Sequence, residues 1–149
     1  MRYFHLLISL ILLTSNLFFQ EIGILYRFST GDKIYEWKHH GNQETDPKFM
    51  GEIKDGSPGG FGIEINPNGF IYKGEFSEGR WDGKGSFYYP DGRNYVGEWK
   101  EGLRDGKGIF TFPDGYRFSG EWRKDVRWNG TVFDIHGEIV GKILEGVGL

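Results

Sequence analysis

The pentapeptide Tyr72-Lys73-Gly74-Glu75-Phe76 returns as Tyr95-Val96-Gly97-Glu98-Trp99 and as Phe118-Ser119-Gly120-Glu121-Trp122. An earlier copy reads Phe49-Met50-Gly51-Glu52-Ile53, so the starts at 49, 72, 95 and 118 define a period of 23 residues. A second element keeps the same period. Asp82-Gly83-Lys84-Gly85 leads to Tyr89-Pro90-Asp91-Gly92, and Asp105-Gly106-Lys107-Gly108 leads to Phe112-Pro113-Asp114-Gly115. Looser copies run from Gly60-Phe61-Gly62 to Gly69 and from Asn129-Gly130 to Gly137. A period of this length restricts the chain to a stack of identical small units, each too small to bury its own apolar face alone.

Each unit reads as one β-hairpin. Tyr72, Gly74 and Phe76 alternate with Lys73, Glu75 and Ser77, the two-residue period of a half-buried strand. Glu78-Gly79-Arg80-Trp81-Asp82-Gly83 reads as a turn, and Gly85, Phe87 and Tyr89 continue the alternation on a returning strand. Pro90-Asp91-Gly92 is a second turn, because proline presets φ and glycine accepts φ above zero. The pattern puts glycines on the same face as the rings, so a neighbouring ring is expected to lie flat on bare backbone. The residues that define the repeat are Tyr72, Gly74, Glu75, Phe76, Gly83, Gly85 and Gly92, then Tyr95, Gly97, Glu98, Trp99, Gly106, Gly108 and Gly115, then Phe118, Gly120, Glu121 and Trp122.

The end units depart from the pattern. The first carries Glu64 and Asn66 where the central units have Phe87 and Tyr89 or Phe110 and Phe112, and its Ile63 and Ile65 fall on the opposite parity. The last lacks one residue between Gly120 and Gly130 and has Asp134 at the ring position. Both are expected to act as caps. Ile139 to Ile143 reads as one further half-hairpin, so the array is expected to run from 49 to 145. Residues 21–48 form a non-repeat lead-in, in which Gly31 to Trp37 reads as a strand and His39 to Lys48 as a polar loop.

Residues 1–20 differ from the rest. Arg2 precedes an apolar run from Leu6 to Leu13, broken only by Ser9, and apolar character returns at Leu17-Phe18-Phe19 and at Ile22 to Tyr26. This is the layout of a secretory signal or an uncleaved anchor, expected to be a hydrophobic helix. The run is shorter than the roughly 20 apolar residues of a spanning helix. The expected location is therefore exported or membrane-anchored, in the cell envelope or outside it.

The Tyr-x-Gly-Glu-Trp start, the Asp-Gly-Lys-Gly centre and the Pro-Asp-Gly end resemble the MORN repeat, best over 72–117. The resemblance implies an all-β fold, an elongated and twisted antiparallel β-meander of tandem hairpins. It also implies membrane-proximal scaffolding, protein–protein contacts and, in some members, binding of phospholipid headgroups. Some larger relatives join such arrays to lipid kinase or lysine methyltransferase domains. Here the repeats run nearly to Leu149, so no such domain is expected.

Nothing else in the chain points to catalysis. There is no cysteine, which removes disulfides, thiolate ligands and a thiol nucleophile. The histidines are His5, His39, His40 and His136, without the spacing of a metal site. No Gly-x-Ser-x-Gly or dinucleotide-type glycine motif in a strand–helix context occurs. The recurring Glu52, Glu75, Glu98 and Glu121 are expected to form a solvated row paired with Lys and Arg such as Lys73, Lys84 and Lys107, since catalytic residues rarely recur in every unit. Asn129-Gly130-Thr131 matches a glycosylation sequon but falls at a repeat turn. Over 72–130 there are 11 basic and 10 acidic residues. The field is therefore near zero, and neither nucleic acid nor bulk attraction to anionic lipid is expected. The expected function is a non-catalytic scaffold for a protein partner, without cofactor or metal. The alternatives are phospholipid-headgroup binding and a self-associating element of the cell envelope.

Overall fold

A computed structural model describes residues 21–31 and 35–148. They form one open antiparallel sheet. Its strands are β1 (Glu21–Ser29), β2 (Tyr35–Lys38), β3 (Lys48–Lys54), β4 (Ser57–Ile65), β5 (Ile71–Ser77), β6 (Arg80–Tyr88), β7 (Asn94–Lys100), β8 (Leu103–Thr111), β9 (Arg117–Arg123), β10 (Val126–Phe133), β11 (Ile139–Leu144) and β12 (Val147–Gly148). From β3 to β12 the sheet is a meander of the repeat hairpins. The hydrophobic helix expected over residues 1–20, His5 included, lies outside the described residues.

The lead-in departs from the expectation. Ile22 to Tyr26 is part of β1, which pairs with β3. Of the expected strand over Gly31 to Trp37, Tyr35 to Trp37 lie in β2, which pairs with the outer side of β1, and residues 32–34 lie outside the described residues. The sheet therefore continues past the unit that begins at Phe49, and that unit is not its end. The physical reason is the apolar Phe49 and Ile53, both almost fully buried. Leu25 on β1 stands opposite Phe49, and Trp37 on β2 packs edge-on against the Phe49 ring.

Two turn types build every unit. The inner hairpin turn is confined to two residues of positive φ, for example Glu78 at 49° and Gly79 at 76°, and Arg80 to Gly83, expected in the turn, belong to β6 instead. This is the primed turn whose twist matches that of the flanking strands. The Pro-Asp-Gly turn is closed by the Gly92 N–H donating to the Tyr89 carbonyl at 3.1 Å, with the Tyr89 N–H donating to the Arg93 carbonyl.

Glycines line up across the sheet. Gly23, Gly51, Gly62, Gly74, Gly85, Gly97, Gly108, Gly120 and Gly130 are successive cross-strand partners from β1 to β10. Phe49 lies on Gly51 and Gly62, Tyr72 on Gly74 and Gly85, Tyr95 on Gly97 and Gly108, and Phe118 on Gly120 and Gly130. The face that carries these rings holds the core. On the described residues no second layer covers it, so its rings cover one another. Trp99 packs on Tyr72 of the preceding unit at 5.4 Å, and Trp122 packs on Tyr95 at 5.2 Å. Each such pair contributes about 0.5–1.5 kcal/mol beyond the area it buries.

Main-chain bonds also tie unit to unit. The Gly102 N–H donates to the Trp81 carbonyl at 2.8 Å and the Asp125 N–H to the Arg104 carbonyl at 2.9 Å. Asp82 and Asp105 accept from the N–H groups of Glu101 and Lys124 in the next hairpin turn. These bonds account for an aspartate ahead of the first glycine in the Asp-Gly-Lys-Gly element.

Candidate functional site

The repeating glutamates are not a row of free carboxylates. Where Gly74 and Gly85 pair, and then Phe76 and Trp81, Glu75 stands opposite three residues, Asp82 to Lys84. The returning strand bulges there, and Gly83 takes a φ of 98° that side chains disfavour. The same bulge recurs at Gly60 and Gly106. It leaves a main-chain N–H without a ladder partner, and the glutamate accepts it. The Glu52 carboxylate accepts from the Phe61 N–H at 2.8 Å, and Glu98 accepts from the Lys107 N–H at 2.9 Å. Glu52 and Glu98 thus take main-chain donors, while Glu121 makes the kind of ion pair expected for the row, with Arg123 at 3.0 Å. Glu121 completes the series differently. Its unit has one residue fewer, so the Asn129 carboxamide donates to Glu121 at 3.3 Å. Glu98→Ala is expected to cost about 1 kcal/mol, the usual net value of one such bond, as a lower urea midpoint with an unchanged slope.

Asn129 is occupied at both ends of its carboxamide, since its oxygen accepts from the Glu145 N–H at 2.9 Å. The sequon, expected at a repeat turn, lies instead within β10 and is built into the last hairpin. Tyr72 and Tyr95 are likewise structural. Their hydroxyls donate to the carbonyls of Glu75 and Glu98 at 2.9 and 3.0 Å, and burial holds both phenols well above the ordinary tyrosine range. They stay protonated donors at any physiological pH. Among the described residues no three His, Asp or Glu side chains lie together as metal ligands. His39 and His40 follow the end of β2, and the His136 N–H donates to Asp134.

One buried charge stands out, and it was not legible from the repeat. Glu64 is 3% exposed on the aromatic face, where the central units carry Phe87 and Phe110. One carboxylate oxygen meets the Arg27 guanidinium at 2.8 Å, and the other accepts from the Trp81 ring N–H at 3.0 Å. Burial pushes the Glu64 carboxyl up, while Arg27 and Trp81 pull it back. Arg27 comes from β1, so the lead-in supplies the counter-charge for an exception within the first unit. The only available signal was the paired anomaly of a glutamate at a ring position and an arginine in an apolar stretch.

The two faces of the sheet differ in chemistry. One carries the rings. Its Trp81, Phe87, Tyr89 and Phe112 are half-buried and open to anything that lies on the sheet. The opposite face mixes Lys73, Lys84 and Lys107 with exposed aliphatics such as Ile24, Val96 and Ile109. A sheet face lined with rings has the composition of interface cores, where Tyr, Trp and Phe are enriched.

Comparison with protein-family models matches three consecutive repeats of one kind, the MORN repeat, at residues 49–70, 72–92 and 95–115. The comparison with curated proteins returned no match.

Proposed function

Because residues 49–115 belong to the MORN repeat family, whose repeats are generally modules for protein and membrane interaction and typically non-catalytic, we propose that this chain is a scaffold that holds a protein partner on the aromatic face of its sheet. The observation that carries this reading is the layer of half-buried rings at Trp81, Phe87, Tyr89 and Phe112, which no described element covers. Export or anchoring by residues 1–20 belongs to the same proposal. Its support is the basic and then apolar order of that segment.

A photo-crosslinking residue placed at Tyr89 tests the face, with Val96 on the opposite face as the control. The expected result in the native host is a discrete crosslinked species from position 89 and none from 96. Equal crosslinking from both positions would remove the assignment. Intact mass with fractionation tests the location. A loss of about 2 kDa with release from membranes identifies a cleaved signal, and full mass in the membrane fraction identifies an anchor. Full mass in the soluble cell interior would refute both.

A further inference from the structure

The half-buried rings Phe70, Phe87, Tyr89 and Phe112 of the aromatic face join through the buried Phe110 into a strip. Phe70 stacks on Phe87 at 5.8 Å, Phe87 meets Tyr89 at 4.7 Å, Tyr89 meets Phe110 at 5.9 Å, and Phe110 meets Phe112 at 4.9 Å. These residues come from the turn before β5, from β6 and the turn after it, and from β8 and its end. The strip therefore runs across the strands, along the array. At one end lies a cavity of about 180 Å³ lined in part by Asn66, Phe70, Trp81 and Phe87. At the other end the Arg127 guanidinium stands 6.0 Å from the Phe112 ring. Three other arginines lie against rings of this face, and each has a carboxylate partner: Arg27 has Glu64, Arg93 on the Tyr89 ring has Asp91, and Arg104 has Asp125. Arg127 has no carboxylate partner among the described residues.

The spacing of the strip selects a ligand shape. Each unit contributes two strands about 4.8 Å apart, so the equivalent half-buried rings Tyr89 and Phe112 of the two central units lie about 9.6 Å apart along the array. A polyproline II helix advances about 3.1 Å per residue with three residues per turn, or about 9.3 Å per turn. Its same-facing residues would meet one ring position per unit with a mismatch of about 0.3 Å. An extended strand repeats its facing residues every ~6.7 Å, and an α-helix every ~5.4 Å; neither divides the ring spacing. Proline rings are apolar and need no hydrogen bond from the rings they lie on, and their chain loses little entropy on binding.

We propose that the strip seats a proline-rich segment of a partner protein in the polyproline II conformation, lying along the array, with an acidic residue of that segment on Arg127. This rests on the reading that the aromatic face is the binding face, and it adds the partner's chemistry and direction.

The test titrates the full chain with a proline peptide of roughly ten residues that ends in paired aspartates. Its counterpart ends in paired asparagines, and a Gly/Ser peptide ending in aspartates controls for charge alone. Saturable binding of the proline peptides is expected, with weaker or no binding of the Gly/Ser peptide. Phe112→Ala is expected to weaken both proline peptides about tenfold, as removal of an interface ring does. Arg127→Gln is expected to weaken only the aspartate peptide, by about fivefold or more. Arg127 is exposed, so that variant keeps the test intact even if Phe112→Ala fails to fold. Absence of saturable binding, equal binding of the Gly/Ser peptide, or indifference of the aspartate peptide to Arg127→Gln would each overturn the proposal. If the crosslink from position 89 persists while the proline peptides do not bind, the proline inference falls and the aromatic-face reading stands. If the crosslink is also lost, both fall.

Discussion

Gly97→Ala is expected to destabilise the array by about 3 kcal/mol or more, the upper end of what overpacking costs. Gly97 sits in the middle of the glycine row, with Gly85 and Gly108 as its cross-strand partners. A methyl group added there would meet the Gly108 Cα and the Lys107 carbonyl, both main-chain atoms, as well as the Tyr95 hydroxyl. Main-chain atoms in a central ladder cannot move aside without breaking its hydrogen bonds. The Tyr95 ring is fully buried and cannot swing out without exposing Trp99 and Trp122, which pack on it. Gly102→Ala is the internal comparison. Gly102 has a φ of 84° but nothing within 4 Å of its missing Cβ. It should lose only the left-handed backbone penalty of about 1–2 kcal/mol. Urea unfolding of the two variants checks the claim. Equal losses would show that backbone conformation, rather than the ring lying on the row, makes this glycine necessary.

Arg27→Met is expected to cost about 3–5 kcal/mol, because it leaves the buried Glu64 carboxylate without its counter-charge. Arg27 is itself partly exposed, with 21% of its side chain accessible against 3% for Glu64. The two residues are therefore not symmetric. Glu64→Gln leaves a guanidinium that water can still reach and a carboxamide oxygen that can still accept from Trp81. It should cost less than Arg27→Met. The pH dependence follows from the direction of the shift. Burial, the largest cause, raises the Glu64 carboxyl in the folded state above its unfolded value even with Arg27 present. The folded state therefore holds this proton more tightly than the unfolded chain does. Its contribution to stability is full below the unfolded value and is lost as pH rises through the folded value. Without Arg27 the carboxyl rises further, so Arg27→Met should regain stability on acidification through the carboxylate range. The Arg27→Met, Glu64→Gln double variant should lack this recovery. Hydrogen exchange of the β1 and β2 amides across that range is the measurement. A pH-independent Arg27→Met defect would show that Arg27 acts through packing alone.

How much of this was legible in advance differs by feature. The parity of Tyr72, Gly74 and Phe76 predicted which residues share the buried face, because side chains alternate strictly along a strand. Turn chemistry at Pro90-Asp91-Gly92 placed the connection between units, whereas the reading of Glu78 to Gly83 as turn was too long, because the primed turn needs only Glu78 and Gly79 and the strand bulge at Gly83 uses the same glycine chemistry. Repetition then multiplied one local reading along the array. The lead-in was harder. Ile22 to Tyr26 alternates polar and apolar residues too weakly to separate a strand from the tail of an apolar leader, and β1 exists because β3 offers an unpaired edge and an uncovered Phe49.

The candidate site divides along the same line. The sequence by itself determined the array, its period, its ring-and-glycine face and the residues that define each unit, because all of these depend on neighbours within one hairpin. Only the tertiary structure decided the rest. It made Glu52 and Glu98 acceptors for bulged main-chain N–H groups, and joined Arg27 to Glu64 and Trp81. It also connected Phe70, Phe87, Tyr89, Phe110 and Phe112 into one strip ending at Arg127. Those outcomes depend on which atoms face each other across strands and between units, and that geometry is set by the bulges, the registers and the order of strands in the assembled sheet.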